Sequence, residues 1–472
     1  MLNAAQIGNE LNRSVKLAID SGEARSIEEA QRIFQGYKLS IVVGPDLAFS
    51  ATKQAALLTA VNTGRRCFLG GVEVRECPDA ELVVPLLNCR SVPEAVVQLG
   101  GTLVSKITDE IPQIVIGDGS LTNAQAEFCL RATFDGWRGG VVPITETTRL
   151  DENQEFTPAG IMCGALAVSE AFQYVRGRNA LAGRRSFGLS LWEPDSMRSW
   201  LDNPESGPNL EVLPSSLWLI GLGHLGQAYL WTLGSLPYRD PVALQLVLQD
   251  YDRLVKANDS TSLLTNLSLV GQLKTRAMAQ WCEQRGFRTR LVERRFGGDF
   301  KINDEEPQVA LCGVDNESAR AALEDVGFAQ VIEAGLGKGD EEYLAVQMHS
   351  LPGERYARSL WSKNNDVDVS ETSNEQPAYQ ALSDAGIDQC GLTLLANRSV
   401  GASFVGTVTA TLVVAELLRM AMSEHRYGVI DGSLRSAESF DFVRSENLSS
   451  RPFNPGITEA IDHDLSKKIL AA

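Results

Sequence analysis

The chain has 472 residues, enough for two or three domains and more than one sizeable core, and its 44% hydrophobic and 22% charged content is ordinary for a globular protein. Sixty acidic side chains against 43 basic ones leave a net charge of −17, which repels nucleic acid and anionic membrane and argues against either as a partner. Eight cysteines are scattered without any Cys-x-x-Cys pair, so reduced thiols are expected rather than a disulfide framework or a structural zinc site.

Residues 1–38 mix charged and apolar positions at helical spacing (Leu11, Val15 and Ala18, then Ile27, Ala30, Ile33 and Phe34), which predicts an N-terminal helical arm. No basic stretch followed by an apolar core opens the chain, so a cytoplasmic protein is expected. A strand is expected at Leu39–Val43, and Gly44-Pro45-Asp46 follows it where a phosphate-binding turn would stand. Pro45 has no N–H and the later glycines are missing, so this turn is unsuited to phosphate. The domain expected over 39–177 nevertheless has an echo later in the chain. Pro112-Gln113-Ile114-Val115-Ile116-Gly117-Asp118 parallels Pro307-Gln308-Val309-Ala310-Leu311-Cys312-Gly313, and the small-residue helix 160–174 parallels 401–419, as in a degenerate duplication. Residues 178–214, with Gly, Ser, Pro and mixed charge, read as a linker.

The second half carries the stronger signal. Leu217-Trp218-Leu219-Ile220 is an apolar run suited to a buried parallel strand, and Gly221-Leu222-Gly223-His224-Leu225-Gly226 follows it directly and opens a helix. Glycine is needed in such a turn because the backbone must approach a phosphate closely and offer free N–H groups to it. A second strand, expected over 242–248, ends in Asp250-Tyr251-Asp252, where a Rossmann-like unit places the acid that binds a ribose hydroxyl. Further on, residues 400–415 carry no charge but are too few to span a bilayer, so a buried helix is expected.

Asp250, Asp252, Asn258, Val270-Gly271 and Lys274, followed by Cys312-Gly313-Val314-Asp315-Asn316 and Arg320, resemble in order and spacing the ATP site of the ThiF/MoeB and ubiquitin-activating-enzyme superfamily. The resemblance covers 215–420 well and 39–176 weakly. It implies an α/β protein of two Rossmann-like adenylation-type domains with mainly parallel sheets. The first would be inactive and the second, 215–422, active, with an inserted crossover segment at 338–389. A C-terminal segment, 423–472, has no assigned role. The implied cofactors are ATP and Mg2+: the amides at Gly221, Gly223 and Gly226 and the Lys274 cation on the phosphates, Asp250 on the ribose, Asp252 and Asn258 completing the site, and Asp315 holding the metal. The implied partners are a ubiquitin-like protein, adenylated at its C-terminal glycine, and a conjugating enzyme that receives it. Homodimerisation is a further expectation.

Two features qualify the resemblance. The family has an arginine three residues after the asparagine, and this chain has Thr261; Arg13 and Arg320 are the candidates to replace it. The expected nucleophile is Cys390, after Gly386-Ile387-Asp388-Gln389, resembling the autophagy-type activating enzymes and those of bacterial ubiquitin-like conjugation operons. A thiol near a helix N-terminus is favoured as the thiolate. The polar stretch 339–384, with Asn364-Asn365-Asp366 and Ser370-Glu371-Thr372-Ser373, is expected to guide a partner's tail to the nucleotide. Three other readings stay open: a sulfur-carrier adenylyltransferase, an NAD-dependent oxidoreductase using the same glycine turn, and a non-catalytic protein with a relict ATP fold.

Overall fold

Each half builds the centre of its sheet from apolar runs buried on both faces, the pattern expected of mainly parallel strands between helices. The computed structural model describes residues 3–106, 110–119, 127–196, 198–361, 376–422, 426–445 and 456–461. In the first half β1 (Leu39–Val43), β2 (Val72–Arg75), β3 (Thr102–Val104), β4 (Gln113–Ile116), β5 (Cys129–Asp135), β6 (Arg138–Pro143) and β7 (Phe187–Ser190) form a 7-stranded sheet in the order β3-β2-β1-β4-β5-β6-β7. Its first five strands are parallel and β6 and β7 run antiparallel.

In the second half, β8 (Val212–Pro214) pairs apart with β17 (Ile457–Glu459). The main sheet takes β9 (Ser216–Ile220), β10 (Gln245–Gln249), β11 (Arg288–Val292), β12 (Val309–Cys312), β13 (Gln330–Leu336), β14 (Ala345–Leu351), β15 (Tyr427–Ser433) and β16 (Ser436–Arg444). Their order is β11-β10-β9-β12-β13-β14-β15-β16, parallel through β13 and antiparallel from there. Strand order and sense therefore repeat from one half to the other, with β16 added at the edge. The fold is two doubly wound α/β units in tandem.

The helices repeat as well. Ala51–Gly64 follows β1 as His224–Gly234 follows β9, and two helices of 19 residues, Thr157–Val175 and Ser403–Ala421, precede β7 and β15. Ala51–Gly64 packs on Thr157–Val175, His224–Gly234 packs on Ser403–Ala421, and the two long helices pack on each other. One hydrophobic cluster runs through this layer and joins both halves. Ser403–Ala421 is apolar and long enough to cross a membrane, but it is 94% buried as the central helix of this layer.

Several elements differ from the sequence reading. β10 starts at Gln245 because Pro241–Ala243 forms a 3-10 turn capped by Asp240. β7 lies in the stretch read as a linker, β14 lies in the segment read as a crossover, and β15 and β16 lie in the C-terminal stretch. Residues 364–366 and 370–373 lie outside the described residues. The arm folds as Ala4–Glu10, Lys16–Asp20 and Ile27–Gln35 and docks on the second half. The Arg13 N–H donates to Ser260 Oγ (3.0 Å), the Ser14 hydroxyl to the Gly401 carbonyl (2.9 Å), and Lys16 Nζ to the Ala396 carbonyl (3.2 Å).

Candidate active site

The glycine turn between β9 and His224–Gly234 is built around contacts that only glycine permits. Gly221 has φ +85°, and a Cβ on Gly226 would lie 1.9 Å from the Gly221 carbonyl oxygen. Gly223 is the N-cap, and no side chain caps the helix that starts at His224. Its first-turn amides are thus left to water or to an anion, in the positive field of the helix N-terminus.

Acids and a lysine gather beside this turn. Asp250 Oδ2 accepts the Leu222 N–H (2.8 Å) and Oδ1 accepts the Asp252 N–H (2.8 Å), so one carboxylate fixes both the glycine turn and the loop after β10. Lys274, at the start of the helix Lys274–Glu283, places Nζ 2.9 Å from Asp252 Oδ2 and 3.6 Å from Asp250 Oδ2. Burial would lower the pKa of this ammonium, but Asp250, Asp252 and Asp315 together outweigh it and hold the pKa above its ordinary value. Asp315 is exposed beyond the end of β12, and the next residue, Asn316, caps Glu317–Ala321. Asn258 shapes the loop it belongs to: its Oδ1 accepts the Val255 N–H (2.9 Å) and its carbonyl accepts the Ser262 N–H (2.9 Å).

The corresponding place in the first half is closed. Ser50 caps Ala51–Gly64 by accepting the Lys53 N–H, and Glu155 Oε2 accepts the Thr52 N–H (2.8 Å), so the amides that would meet a phosphate already have acceptors. Asp46 Oδ1 accepts the Asp118 N–H (2.7 Å). Lys53 bridges Asp46 (2.7 Å) and Glu152 (2.9 Å), while Arg149 bridges Asp118 (2.6 Å) and Glu152 (2.8 Å). Here the protein's own carboxylates occupy the donors.

The two arginine candidates diverge. Arg320 is held by the Val314 carbonyl (2.9 Å) and Glu333 (2.9 Å). The backbone of Arg13 meets Ser260 and Gly401, and a Cβ on Gly401 would lie 3.3 Å from Thr261 Cγ2 and 3.9 Å from His224 Nδ1. The arm is therefore threaded beside the glycine turn. Arg13 Nη2 donates to the Gly8 carbonyl (3.2 Å), and its buried Nη1 has no hydrogen-bond partner among the described residues. Burial and the neighbouring Arg398 lower its pKa to about 10, still a cation at neutral pH.

Cys390 stands apart, in the first turn of its own 8-residue helix, Gln389–Ala396, rather than at the start of Ser403–Ala421. The cap is Asp388, whose Oδ1 accepts the Gly391 N–H (2.8 Å), and the helix packs on the arm helix Ala4–Glu10. Of the eight thiols Cys390 is the exposed one. Burial pushes the pKa of the other seven up, to about 11 for Cys77 and Cys129 and about 12 for Cys312.

One residue of the site was missed from the sequence. Gln227, fully buried in His224–Gly234, donates from Nε2 to the Leu222 carbonyl (3.1 Å), and its Oε1 accepts from the Leu264 N–H and the Thr265 hydroxyl (3.0 Å each). An amide in an otherwise apolar helix, one position after the glycine turn, was the available signal.

Fold and site together define a class: a tandem pair of Rossmann-like doubly wound α/β units, one glycine turn with a bare helix start and its counterpart closed. The family model described as the BilD N-terminal domain matches residues 38–191, and that described as the BilD C-terminal domain matches 213–424. A protein of Collimonas sp. (strain OK412) named bacterial E1-like protein BilD is 43% identical over 452 residues, covering 96% of each chain. The chain belongs to this family of bacterial E1-like proteins.

Solved structures give distant matches. Escherichia coli MccB with MccA-N7isoASN is 15% identical over 50% of this chain and 65% of that one, with a TM-score of 0.30. The E. coli tRNA N6-threonylcarbamoyladenosine dehydratase TcdA in complex with AMP is 14% identical over 44% and 86%, with a TM-score of 0.29.

Proposed function

We propose that the second half is the adenylating centre of a cytoplasmic activating enzyme for a ubiquitin-like protein, and that Cys390 then carries the activated protein as a thioester. The observation that carries this reading is the uncapped helix at Gly223, facing Asp250 and Lys274, in a chain of the E1-like family. The Gly221 N–H is bound to the Gln249 carbonyl (2.9 Å), so Gly221 shapes the turn through its positive φ rather than donating to phosphate as expected from the sequence. The amides at Gly223 and Gly226 and the Lys274 ammonium take the phosphates of ATP, and Asp250 takes the ribose. Arg13, whose backbone lies beside Thr261, supplies the cation that Thr261 does not.

The donor set suits magnesium that arrives with the nucleotide. The described residues contain no group of three or more His, Cys, Asp or Glu side chains able to hold an ion, and Asp315 offers one exposed carboxylate to be completed by phosphate oxygens. When bound, the ion neutralises charge on the phosphates.

In the first step a C-terminal carboxylate oxygen bonds to the α-phosphorus and pyrophosphate leaves. In the second, the Cys390 sulfur bonds to the acyl carbon, AMP leaves with the bonding pair of the mixed anhydride, and the thiol proton passes to solvent. Transfer to a conjugating enzyme follows by thioester exchange.

The test is intact-protein mass after incubation with Mg-ATP and a purified ubiquitin-like protein encoded beside this chain, for wild type and Cys390→Ala. A reductant-sensitive adduct that disappears in the variant is expected. Pyrophosphate release without an adduct would instead mark an enzyme that stops at the adenylate, as a sulfur-carrier adenylyltransferase does. A wild-type protein that neither binds Mg-ATP nor exchanges pyrophosphate would sink the adenylation reading.

A further inference from the structure

The first half reaches into the second at the loop that carries Asn258 and Thr261. Arg66, 2% exposed at the end of Ala51–Gly64, forks into this loop. Its Nη1 donates to the Asp259 carbonyl and to Asp259 Oδ1 (3.2 Å), and its Nη2 donates to the carbonyls of Leu263 (2.9 Å) and Thr265 (3.2 Å). Asn62 Nδ2 adds a bond to the Leu263 carbonyl (3.1 Å), and Arg65 pairs with Asp259 Oδ1 at 2.9 Å. Three carbonyls of one short loop thus converge on a single guanidinium, a planar donor set suited to fixing several acceptors at once.

The opposite side of the same loop is bound to the glycine turn. Gln227 Oε1 takes the Leu264 N–H and the Thr265 hydroxyl, its Nε2 holds the Leu222 carbonyl, and Asp250 holds the Leu222 N–H. The peptide groups on either side of Leu222 are therefore pinned, the one from Gly221 by Asp250 and the one to Gly223 by Gln227. These two peptides join Gly221 to Gly223, so their orientation sets where the turn's amides point.

We infer that Arg66 and Gln227 are positioning residues for nucleotide binding: Arg66 fixes the loop 259–265, Gln227 transmits that fix to the Leu222–Gly223 peptide, and the first half thereby sets the phosphate turn of the second without touching the nucleotide. The inference rests on the adenylation reading above. It also gives the first half a role that its closed turn does not. Burial of a charged side chain is costly unless its partners are worth it, and here those partners are the backbone of the other half's nucleotide loop.

The test is a double-mutant cycle in the full chain with Arg66→Lys and Gln227→Met. Affinity for Mg-ATP is read by calorimetry, and integrity by near-UV circular dichroism and the thermal midpoint. Lysine keeps the charge and loses the fork, while methionine keeps the volume and loses both hydrogen-bonding roles. Each variant is expected to bind Mg-ATP about tenfold more weakly, since small misplacements of a binding group weaken its interaction steeply. Because both act through one loop, the double variant is expected to be no weaker than the worse single variant by more than about twofold.

A purely structural role would lower the thermal midpoint and leave the affinity of the folded protein unmoved, and that outcome overturns the inference, as does a double variant whose loss is the product of the singles. If Arg66→Lys does not fold, Gln227→Met and Asn62→Ala give the same cycle from the other residues of the chain of contacts. Wild-type protein that fails to bind Mg-ATP overturns the adenylation reading and the inference with it, whereas wild-type binding with unmoved variants overturns the inference alone.

Discussion

His224 stands where the glycine turn meets Ser403–Ala421, with Nε2 3.5 Å from the Ser403 carbonyl. Burial, helped by the charge of Arg66 and opposed by that carbonyl, lowers its pKa to about 4. The unfolded chain binds a proton near pH 6.5 that the folded chain declines until near pH 4, so this stability is present above pH 6.5 and is lost as pH falls through that window. Denaturant titrations from pH 7.5 to 4.5 should show wild type losing on the order of 2 kcal/mol more than His224→Gln. Gly226 offers a second residue-scale test. A methyl there meets the Gly221 carbonyl at 1.9 Å, so Gly226→Ala must open the turn; about 2 kcal/mol of stability and most Mg-ATP affinity should go, read by urea melts and calorimetry. The glycine turn and the neighbourhood of Asp250 and Lys274 beside it were legible because that juxtaposition follows from local spacing. Gln227 and Arg66 were not, because their partners lie 37 and up to 199 residues away and no spacing rule reaches that far.

At the scale of elements, two helices that follow equivalent strands differ mainly at their first turns. His224–Gly234 begins bare, whereas Ala51–Gly64 begins with Ser50 and Glu155 on its amides and with Lys53 locked between Asp46 and Glu152. Lys53→Met leaves those two carboxylates facing each other in a largely buried place. A loss of about 3 kcal/mol is expected in chemical denaturation. Mg-ATP binding by the second half should be unchanged in the protein that remains folded. Pro45 announced a turn unsuited to phosphate, but the ion network that fills it could not be read, since Arg149 and Glu152 come from the far end of the domain. Cys390 was read as lying near the start of the long small-residue helix; it lies instead in the first turn of its own helix, because the short run Gln389–Ala396 was too brief to separate by periodicity from the longer one behind it.

Across the whole molecule the short sequence echoes correspond to a repeat of the full strand order, which they did not reveal. Strand order is a matter of which runs pair, and β7, β14, β15 and β16 fell in stretches that lacked the apolar continuity of the parallel strands. The shared helix layer makes the halves interdependent. A chain of residues 213–461 alone would bare the face of Ser403–Ala421 that rests on Thr157–Val175. It should bind hydrophobic dyes and lose near-UV ellipticity, where the full chain does neither.

The tandem arrangement also changes what mutation can do. In an assembly of two identical subunits every substitution arrives twice, so a proline and a carboxylate that close one phosphate turn would close both. With the two units on one chain, Pro45 and Asp46 could enter a single copy. In that copy internal ion pairs stand where the other leaves its helix start bare, and under the inference above it is the support against which its sibling's turn is held.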